Sequence, residues 1–333
     1  MPIPLRPSVF ITQPIAPSAI ERLRSVAKVE FNPDPVHIMT RDELCAAVRG
    51  HDILFCLLQD RVDGEVIAAN AKLRAIASMK ITPSDVDVAA ATARRIPVTV
   101  IPPMVTEATA DLHFGLLIAV ARRIVEGDRR VRAGVFPGAQ SMHLEGAGIS
   151  GKTIGLIGGG GRIGRAVARR AQGFSMKVLY WGPRRKSEGE EREWGLTYAP
   201  FDQLLAESDF ISVHAPLDRQ THHLIGAREL GLMKPSAFLV NTARGPIIDE
   251  KALARALSEG RIAGAGLDVF EREPVVEASL LEMPNVVLTP HIGSAVAELR
   301  EKMAHIVVDN IVAVLDGRQP PNCCNPEIYG GKP

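Results

Sequence analysis

The chain has 333 residues, 46% hydrophobic and 23% charged, with a formal net charge of +1. That length suggests about two domains, on a prior of roughly 100–200 residues each, and the apolar share argues for packed cores over a disordered chain. The interspersed charges lack the basic footprint of a nucleic-acid binder, and the apolar stretches are too short to span a bilayer. Met1-Pro2-Ile3-Pro4 is followed by no long apolar segment and cleavage site, so no secretory signal is expected. Cys45, Cys56, Cys323 and Cys324 have no metal-ligand spacing. No metal is expected, and free thiols in a reducing cytoplasm are the plainer reading of these cysteines, although the adjacent pair could react with oxidants.

Short apolar strands alternate with helical stretches through most of the chain, the signature of parallel α/β sheets. Strands are predicted at 9–12, 53–57, 73–78 and 97–101, with helices around 19–27, 41–48 and 62–69. Pro102-Pro103 then breaks the pattern. A long helix is predicted from Thr106 to about 133, where Leu112, Leu116, Val120 and Ile124 recur along an apolar face. It is apolar enough to pack at a homodimer interface. After an irregular glycine-rich stretch, 134–151, a second series of strands is predicted at 154–157, 177–181, 210–214, 237–241, 265–269 and 286–289. A helix after Ser294 and a polar, proline-rich tail follow.

The segment that opens this second series, TIGLIGGGGRIGRAVARRAQGFSMKVLYWGPRRK, is the most informative of the chain. A strand enters a glycine turn, and a helix and a second strand follow. Gly159, Gly161 and Gly164 satisfy G-x-G-x-x-G in the setting a dinucleotide site requires. The first glycine permits the turn, the second lets a pyrophosphate approach the backbone, and the third allows close packing of helix on strand. The phosphate would meet the free N–H groups of the helix N-terminus.

A site selecting NAD usually carries Asp or Glu about 20 residues beyond the turn, bonded to the ribose 2′-hydroxyl. Here the stretch reads Trp181-Gly182-Pro183-Arg184-Arg185-Lys186, with no acid. Arginines pair with a 2′-phosphate through bidentate, charge-assisted bonds. The expectation is therefore NADP(H) preference, with NAD(H) still usable and Arg184 and Arg185 as phosphate partners. The alternative is an ordinary solvated basic turn.

Three later strands deposit reactive groups at their carboxyl ends, where open α/β sheets bind ligands. One leads to Arg244, whose fork can hold a carboxylate or carbonyl oxygen. The next carries Asp268 and leads to Glu271, Arg272 and Glu273, and the last ends in Pro290-His291-Ile292-Gly293-Ser294. Singly, each group reads as a solvated ion pair or a structural histidine. On neighbouring strand ends of one sheet, they suit acid–base work on an oxyanion-like oxygen.

The segments GGGGRIG, NTARGPIIDEKAL, GAGLDVFEREP and LTPHIGSA resemble the D-isomer-specific 2-hydroxyacid dehydrogenase family, and the similarity covers nearly the whole chain. Within that family, the missing acid and the basic turn look most like the NADP-using glyoxylate/hydroxypyruvate reductases. The resemblance implies an α/β fold of two doubly wound parallel-sheet domains. A central Rossmann domain, residues 102–293, is inserted in a flavodoxin-like substrate domain, residues 1–101 and 294–333. It implies a catalytic set of Arg244, Glu273 and His291. To the cofactor it assigns Thr106, Gly159, Gly161, Arg162, Ile163, Gly164, Arg184, Arg185, His214, Pro216, Thr221, Thr242 and Asp268. For Asp268 the choice lies between a contact to the nicotinamide amide and a cap on its strand end. To the substrate it assigns Ile81, Thr82, Arg244, His291 and Ser294. A cytoplasmic homodimer acting on a small 2-keto or 2-hydroxy acid follows from the same resemblance.

Three positions depart from the family pattern. Gly160 stands where relatives carry a larger apolar residue, and Phe136 where a Trp often occurs. Thr82 replaces the glycine of a Val-Gly-like loop whose backbone N–H groups meet the substrate carboxylate in relatives. The expected reaction is reduction of a small 2-keto acid by NADPH to the D-2-hydroxy acid. Arg244 would orient the substrate, and His291, held by Glu273 and favoured in its charged form, would give the proton. Alternatives are a dehydrogenase for a different 2-keto acid or a small oxyanion, and a non-catalytic, nicotinamide-sensing interaction protein.

Overall fold

The computed structural model describes residues 6–330, so the first five and last three residues of the expected outer domain lie outside it. The chain forms two compact units, 1–104 with 295–333, and 105–294. Each contains one all-parallel sheet. No helix among the described residues is long and apolar enough to cross a membrane.

In the first unit, β1 (Ser8–Ile11), β2 (Lys28–Phe31), β3 (Ile53–Cys56), β4 (Ala75–Ser78) and β5 (Val98–Thr99) lie in the order β2-β1-β3-β4-β5. β3 and β4 are buried at every position, as strands covered on both faces must be. β2 escapes the sequence pattern because it is an edge strand, with Lys28 and Glu30 exposed. The helix Ala297–Leu315 returns to this unit, where its Asp309 pairs with Arg22 and its His305 meets Ser18 Oγ at 3.1 Å. Beyond it, the buried side chain of Asn325 accepts from Val98 N–H at 2.9 Å and donates to the Ile96 carbonyl at 2.9 Å, so the tail covers the edge strand β5.

The second unit contains β6 (Thr153–Ile157), β7 (Lys177–Trp181), β8 (Thr197–Tyr198), β9 (Phe210–Val213), β10 (Phe238–Asn241), β11 (Gly264–Leu267) and β12 (Val286–Leu288). Their order is β12-β11-β10-β9-β6-β7-β8. Seven strands replace the six expected, because the two-residue β8 is too short to leave an apolar run. The chain reverses its direction across the sheet between β6 and β9. That makes the carboxyl ends of these two strands the topological switch point at which such sheets bind ligands. Two apolar cores flank the sheet, one containing Leu239, Leu253 and Leu267 and the other Leu116, Leu156 and Val167.

The long helix expected from Thr106 is two helices, Thr106–Ala121 and Ile124–Arg132. Arg123 adopts the left-handed region, φ 53°, and the carbonyl of Ala121 accepts from Ala147 N–H at 2.8 Å. The first helix buries Leu116 and Val120, whereas Ile124 is 51% exposed and the second helix buries nothing. The apolar face that suggested an interface is therefore spent inside this unit.

Candidate active site

The glycine turn follows β6. Gly158 has φ 85°, and a side chain there would come within 2.7 Å of the Ala215 backbone nitrogen, so only glycine fits between the two central strands. A Cβ on Gly164 would lie 2.6 Å from Gly159 Cα, which is the close helix–strand packing the fingerprint needs. Arg162 and Ile163 open the helix Arg162–Gly173 directly after Gly161. Thr106, from the start of its own helix, lines a cavity of about 350 Å³ together with Arg162, Arg165 and Trp194.

The basic turn after β7 is held from within. Arg185 makes two 2.9 Å bonds to Glu191, whose carboxylate also accepts from the Tyr180 hydroxyl at 2.9 Å. The Tyr180 oxygen in turn accepts the Lys186 N–H at 2.6 Å. Burial pushes Tyr180 above the ordinary phenol range, and the Arg185 guanidinium holds Glu191 below the ordinary carboxylate range. Arg185 thus spends Nε and one Nη2 donor on Glu191, while its side chain remains 59% exposed. Arg184 is exposed and makes no ion pair among the described residues. Gly160 leaves room for the Lys186 stem, since a Cβ there would meet Lys186 Cε at 2.6 Å. The Lys186 ammonium lies 5.7 Å from the Trp194 ring, over which the Arg165 guanidinium also sits, at 4.3 Å. Neither Lys186 nor Arg165 was singled out from the sequence.

After β9 comes His214. Its Nε2 meets Ser212 Oγ at 2.6 Å, and the same hydroxyl meets His113 Nε2 at 2.8 Å. One hydroxyl has a single proton, so it can donate to at most one of the two rings. Burial drives His214 down to about 3 and His113 well below the ordinary histidine range. The buried Nδ1 of His214 has no hydrogen-bond partner among the described residues. Beside the glycine turn, this orphaned donor–acceptor suits an amide or hydroxyl of a dinucleotide. Thr221 closes the following loop by donating to the Pro216 carbonyl at 2.6 Å, and Thr242 lies 3.5 Å from His113 Nδ1.

These histidines set an acid limit on stability. Their native pKa values lie below the unfolded value of about 6.5, so between that value and about 3 the unfolded chain binds protons the native fold excludes. Stability contributed by the neutral pair is complete above 6.5 and declines as pH falls, by at most ~1.4 kcal/mol per pH unit for each ring. Thermal melts from pH 7 to 4.5 are expected to show this decline and to lose part of it in His113→Phe. An unchanged slope in that variant would remove His113 from the account.

The carboxyl ends of β10, β11 and β12 carry the reactive groups. Asn241 shapes the first, accepting Ala243 N–H at 2.9 Å and donating to the Arg244 carbonyl at 3.0 Å, which leaves the Arg244 side chain exposed. At the next residue, a Cβ on Gly245 would lie 1.9 Å from the carbonyl carbon and oxygen of Phe270. This contact brings the arginine loop against the loop after β11. Phe270 N–H donates to Glu273 Oε1 at 3.1 Å, and Glu273 Oε2 meets His291 Nδ1 at 2.8 Å. With Nδ1 taken, His291 Nε2 is the nitrogen left for proton transfer.

His291 has φ 54°, an uncommon conformation for a residue with a side chain and one that costs about 1–3 kcal/mol. Asp268 enforces it. Its carbonyl accepts His291 N–H at 2.9 Å, and its buried carboxylate accepts Thr289 Oγ1 at 2.6 Å, Ile292 N–H at 2.8 Å and Gly293 N–H at 2.9 Å. Of the two roles expected for Asp268, these bonds describe the cap. Burial raises its pKa against those bonds and the charge of His291. Ser294 follows at the end of the unit. Ile81 and Thr82 belong to the other unit, where Thr82 is exposed in the loop after β4. No group of His, Cys, Asp or Glu among the described residues could hold a metal ion.

An Arg, a carboxylate-held His and a glycine cradle on one doubly wound sheet define a nicotinamide-dependent oxidoreductase. Residues 114–293 match the NAD binding domain of the D-isomer specific 2-hydroxyacid dehydrogenases, and the chain belongs to that family. It is 46% identical over 333 residues to a glyoxylate reductase of Thermococcus litoralis, covering 99% of this chain and 100% of that one. A glyoxylate reductase of Pyrococcus furiosus is 44% identical over 328 residues, 97% of each chain. Among solved structures, a protein of Thermus thermophilus is similar at 41% identity and a TM-score of 0.88, covering 95% of this chain and 99% of that one. An NADPH-dependent glyoxylate/hydroxypyruvate reductase of Sinorhizobium meliloti, in complex with NADP and malonate, is similar at 31% identity and a TM-score of 0.78, covering 96% of each.

Proposed function

We propose that the protein reduces a small 2-keto acid of glyoxylate or hydroxypyruvate size to the D-2-hydroxy acid, with NADPH preferred and NADH usable. The observation that carries this reading is the Glu273–His291 pair, fixed through Nδ1 with Nε2 open. The reduced nicotinamide supplies the hydride when bound. Arg244 binds the keto acid's carboxylate and carbonyl oxygen and so orients C2. His291 gives the Nε2 proton to the oxygen that becomes the alkoxide, and Glu273 holds the ring in place through the transfer. The glycine turn, Thr106, Arg162, Ile163, His214, Pro216, Thr221 and Thr242 make the cofactor site. Product analysis tests the stereochemistry: hydroxypyruvate should yield D-glycerate, and L-glycerate would overturn the assignment.

For the 2′-phosphate we assign Arg184 and Lys186, with Arg185 holding the turn through Glu191. Replacing Arg184 and Lys186 together by Ala is expected to raise the KM for NADPH roughly 10- to 100-fold, as loss of charge-assisted bonds does, and to leave NADH within about threefold. Arg185→Ala should weaken both cofactors alike. Equal losses in the double variant would refute the assignment.

We place the reaction in a reducing cytoplasm. All four cysteines are free, and burial pushes Cys323 up and Cys324 to about 11, so neither is a ready thiolate. The homodimer is retained with a different face. Ile124, Val131, Val135 and Phe136 are exposed on and after the second helix of the broken pair and suit a second copy better than the helix Thr106–Ala121. A monomeric mass in solution would exclude it.

A further inference from the structure

One buried histidine serves no step of the reaction above. His113 sits in the middle of the helix Thr106–Ala121, is fully buried, and shares its face with Ala110, Phe114 and Leu117. An apolar side chain would fill that place at less cost, because a buried polar group must replace its lost hydration with hydrogen bonds. His113 finds them towards β9. Its Nε2 meets Ser212 Oγ at 2.8 Å, the same oxygen meets His214 Nε2 at 2.6 Å, and the two rings lie 4.9 Å apart. On its other side, His113 Nδ1 faces Thr242 Oγ1 at 3.5 Å. The half-buried His214 is fixed beside the glycine turn. Its N–H donates to the Ile157 carbonyl at 2.7 Å, and a Cβ on Gly158 would lie 2.7 Å from its carbonyl carbon. Nδ1 of His214 ends this row of polar groups with no partner among the described residues.

What that nitrogen offers a ligand follows from the protons available. Burial holds both rings below the ordinary histidine range, so near pH 7 each has one N–H and one bare nitrogen. The Ser212 hydroxyl has one proton and, among the described residues, no neighbours for it but the two Nε2 atoms. If that proton goes to His214, Nδ1 of His214 carries the hydrogen and stands as a buried, unpaired N–H. If it goes to His113, the N–H of His113 is at Nδ1 and points at Thr242 Oγ1. His214 then donates to Ser212 from Nε2, and its Nδ1 is a bare lone pair. A buried N–H without a partner is the rarer and costlier defect. The second arrangement is therefore the lower in energy, and the open end of the row is an acceptor.

We propose that His113 and Ser212 are positioning residues for the cofactor, holding His214 with Nδ1 bare so that it accepts a hydrogen bond from the dinucleotide. This rests on the reading above of His214 as part of the cofactor site. The donor is the carboxamide N–H or a ribose hydroxyl, which are chemically alike to this nitrogen. A carbonyl or phosphate oxygen brought to the same place would meet a lone pair and be repelled, so the arrangement selects as well as holds.

The test uses the full-length protein labelled with ¹⁵N-histidine. Long-range proton–nitrogen NMR tells a protonated ring nitrogen from a bare one, and NADPH is titrated calorimetrically. In the NADPH complex His214 should carry its proton on Nε2, with the Nδ1 signal moved as a bare nitrogen moves on accepting a hydrogen bond. Ser212→Ala is expected to raise the Kd for NADPH about 3- to 30-fold, as loss of one buried hydrogen bond does, and to turn His214 into a mixture of tautomers. His113→Met should act alike. His113→Gln, whose amide oxygen can take the Ser212 proton, should recover most of the affinity, and this pair gives the readout if Ser212→Ala folds poorly. The acetylpyridine analogue of NADPH has a methyl in place of the amide nitrogen. Affinity for it that is unchanged in the variants upholds the proposal with the carboxamide as donor, and an equal loss upholds it with a ribose hydroxyl. A proton on Nδ1 of His214 in the NADPH complex, unchanged NADPH affinity in the folded variants, or a Gln variant as weak as the Met variant overturns it. A protein that binds NADPH in this way but reduces no 2-keto acid upholds the proposal and overturns the reductase reading.

Discussion

Replacing His291 with Asn is expected to lower kcat for 2-keto acid reduction by roughly 10²- to 10⁴-fold, the range for loss of a general acid, with NADPH affinity unchanged. The reason is geometric. Nδ1 is spent on Glu273 at 2.8 Å, and the backbone is locked at φ 54° by Asp268, so the ring presents one nitrogen in one direction. Glu273→Gln keeps a hydrogen bond but removes the carboxylate, and a smaller loss, roughly 10- to 100-fold, is expected. Near-normal turnover in the Asn variant would take the histidine out of this role.

The second large effect is expected from a single methyl group. Gly245→Ala places a carbon 1.9 Å from the Phe270 carbonyl and 2.4 Å from the Glu271 nitrogen, backbone atoms that cannot swing aside as a flexible side chain would. Overpacking of this kind typically costs about 1–3 kcal/mol, or roughly 2–12 °C in Tm for a unit of this size. The larger consequence is catalytic, because the loops bearing Arg244 and Glu273 must part, and a displacement of about 1 Å can cost ~10²-fold in rate. Gly231→Ala is the control. A Cβ there meets nothing within 4 Å, and the substitution within the helix Ala227–Leu232 should be neutral or slightly stabilising. Equal activity in the two alanine variants would show that the close approach at Gly245 is not needed.

The sequence was most legible where a local rule left a local mark. Buried parallel strands such as β3, β4 and β9 leave apolar runs, and the fingerprint glycines sit at fixed offsets from one of them. Arg244, Glu273 and His291 could be found because each follows such a run. What escaped depended on pairings distant in sequence or on short elements. β2 alternates with charge at a sheet edge, and β8 is two residues long. Periodicity carried the helix from Thr106 past Ala121, but a carbonyl bonded to Ala147 ends it, and nothing local announces that bond. Arg184 and Arg185 look equivalent in the sequence. Only the fold sets Glu191 and Tyr180 against one of them. Likewise, burial lowers the pKa of His214, and the side chains that meet it there include Ser212 and, through that hydroxyl, His113 from a helix 101 residues earlier in the chain. A histidine inside an otherwise apolar helix face was the available signal for that cluster.

The most direct measurement is the initial rate of NADPH oxidation by the purified protein with glyoxylate, hydroxypyruvate, pyruvate and bulkier 2-keto acids, repeated with NADH. Rapid NADPH turnover with glyoxylate or hydroxypyruvate is expected, with slower turnover on NADH and falling rates as the substrate grows. Tight NADPH binding without turnover of any 2-keto acid would contradict it.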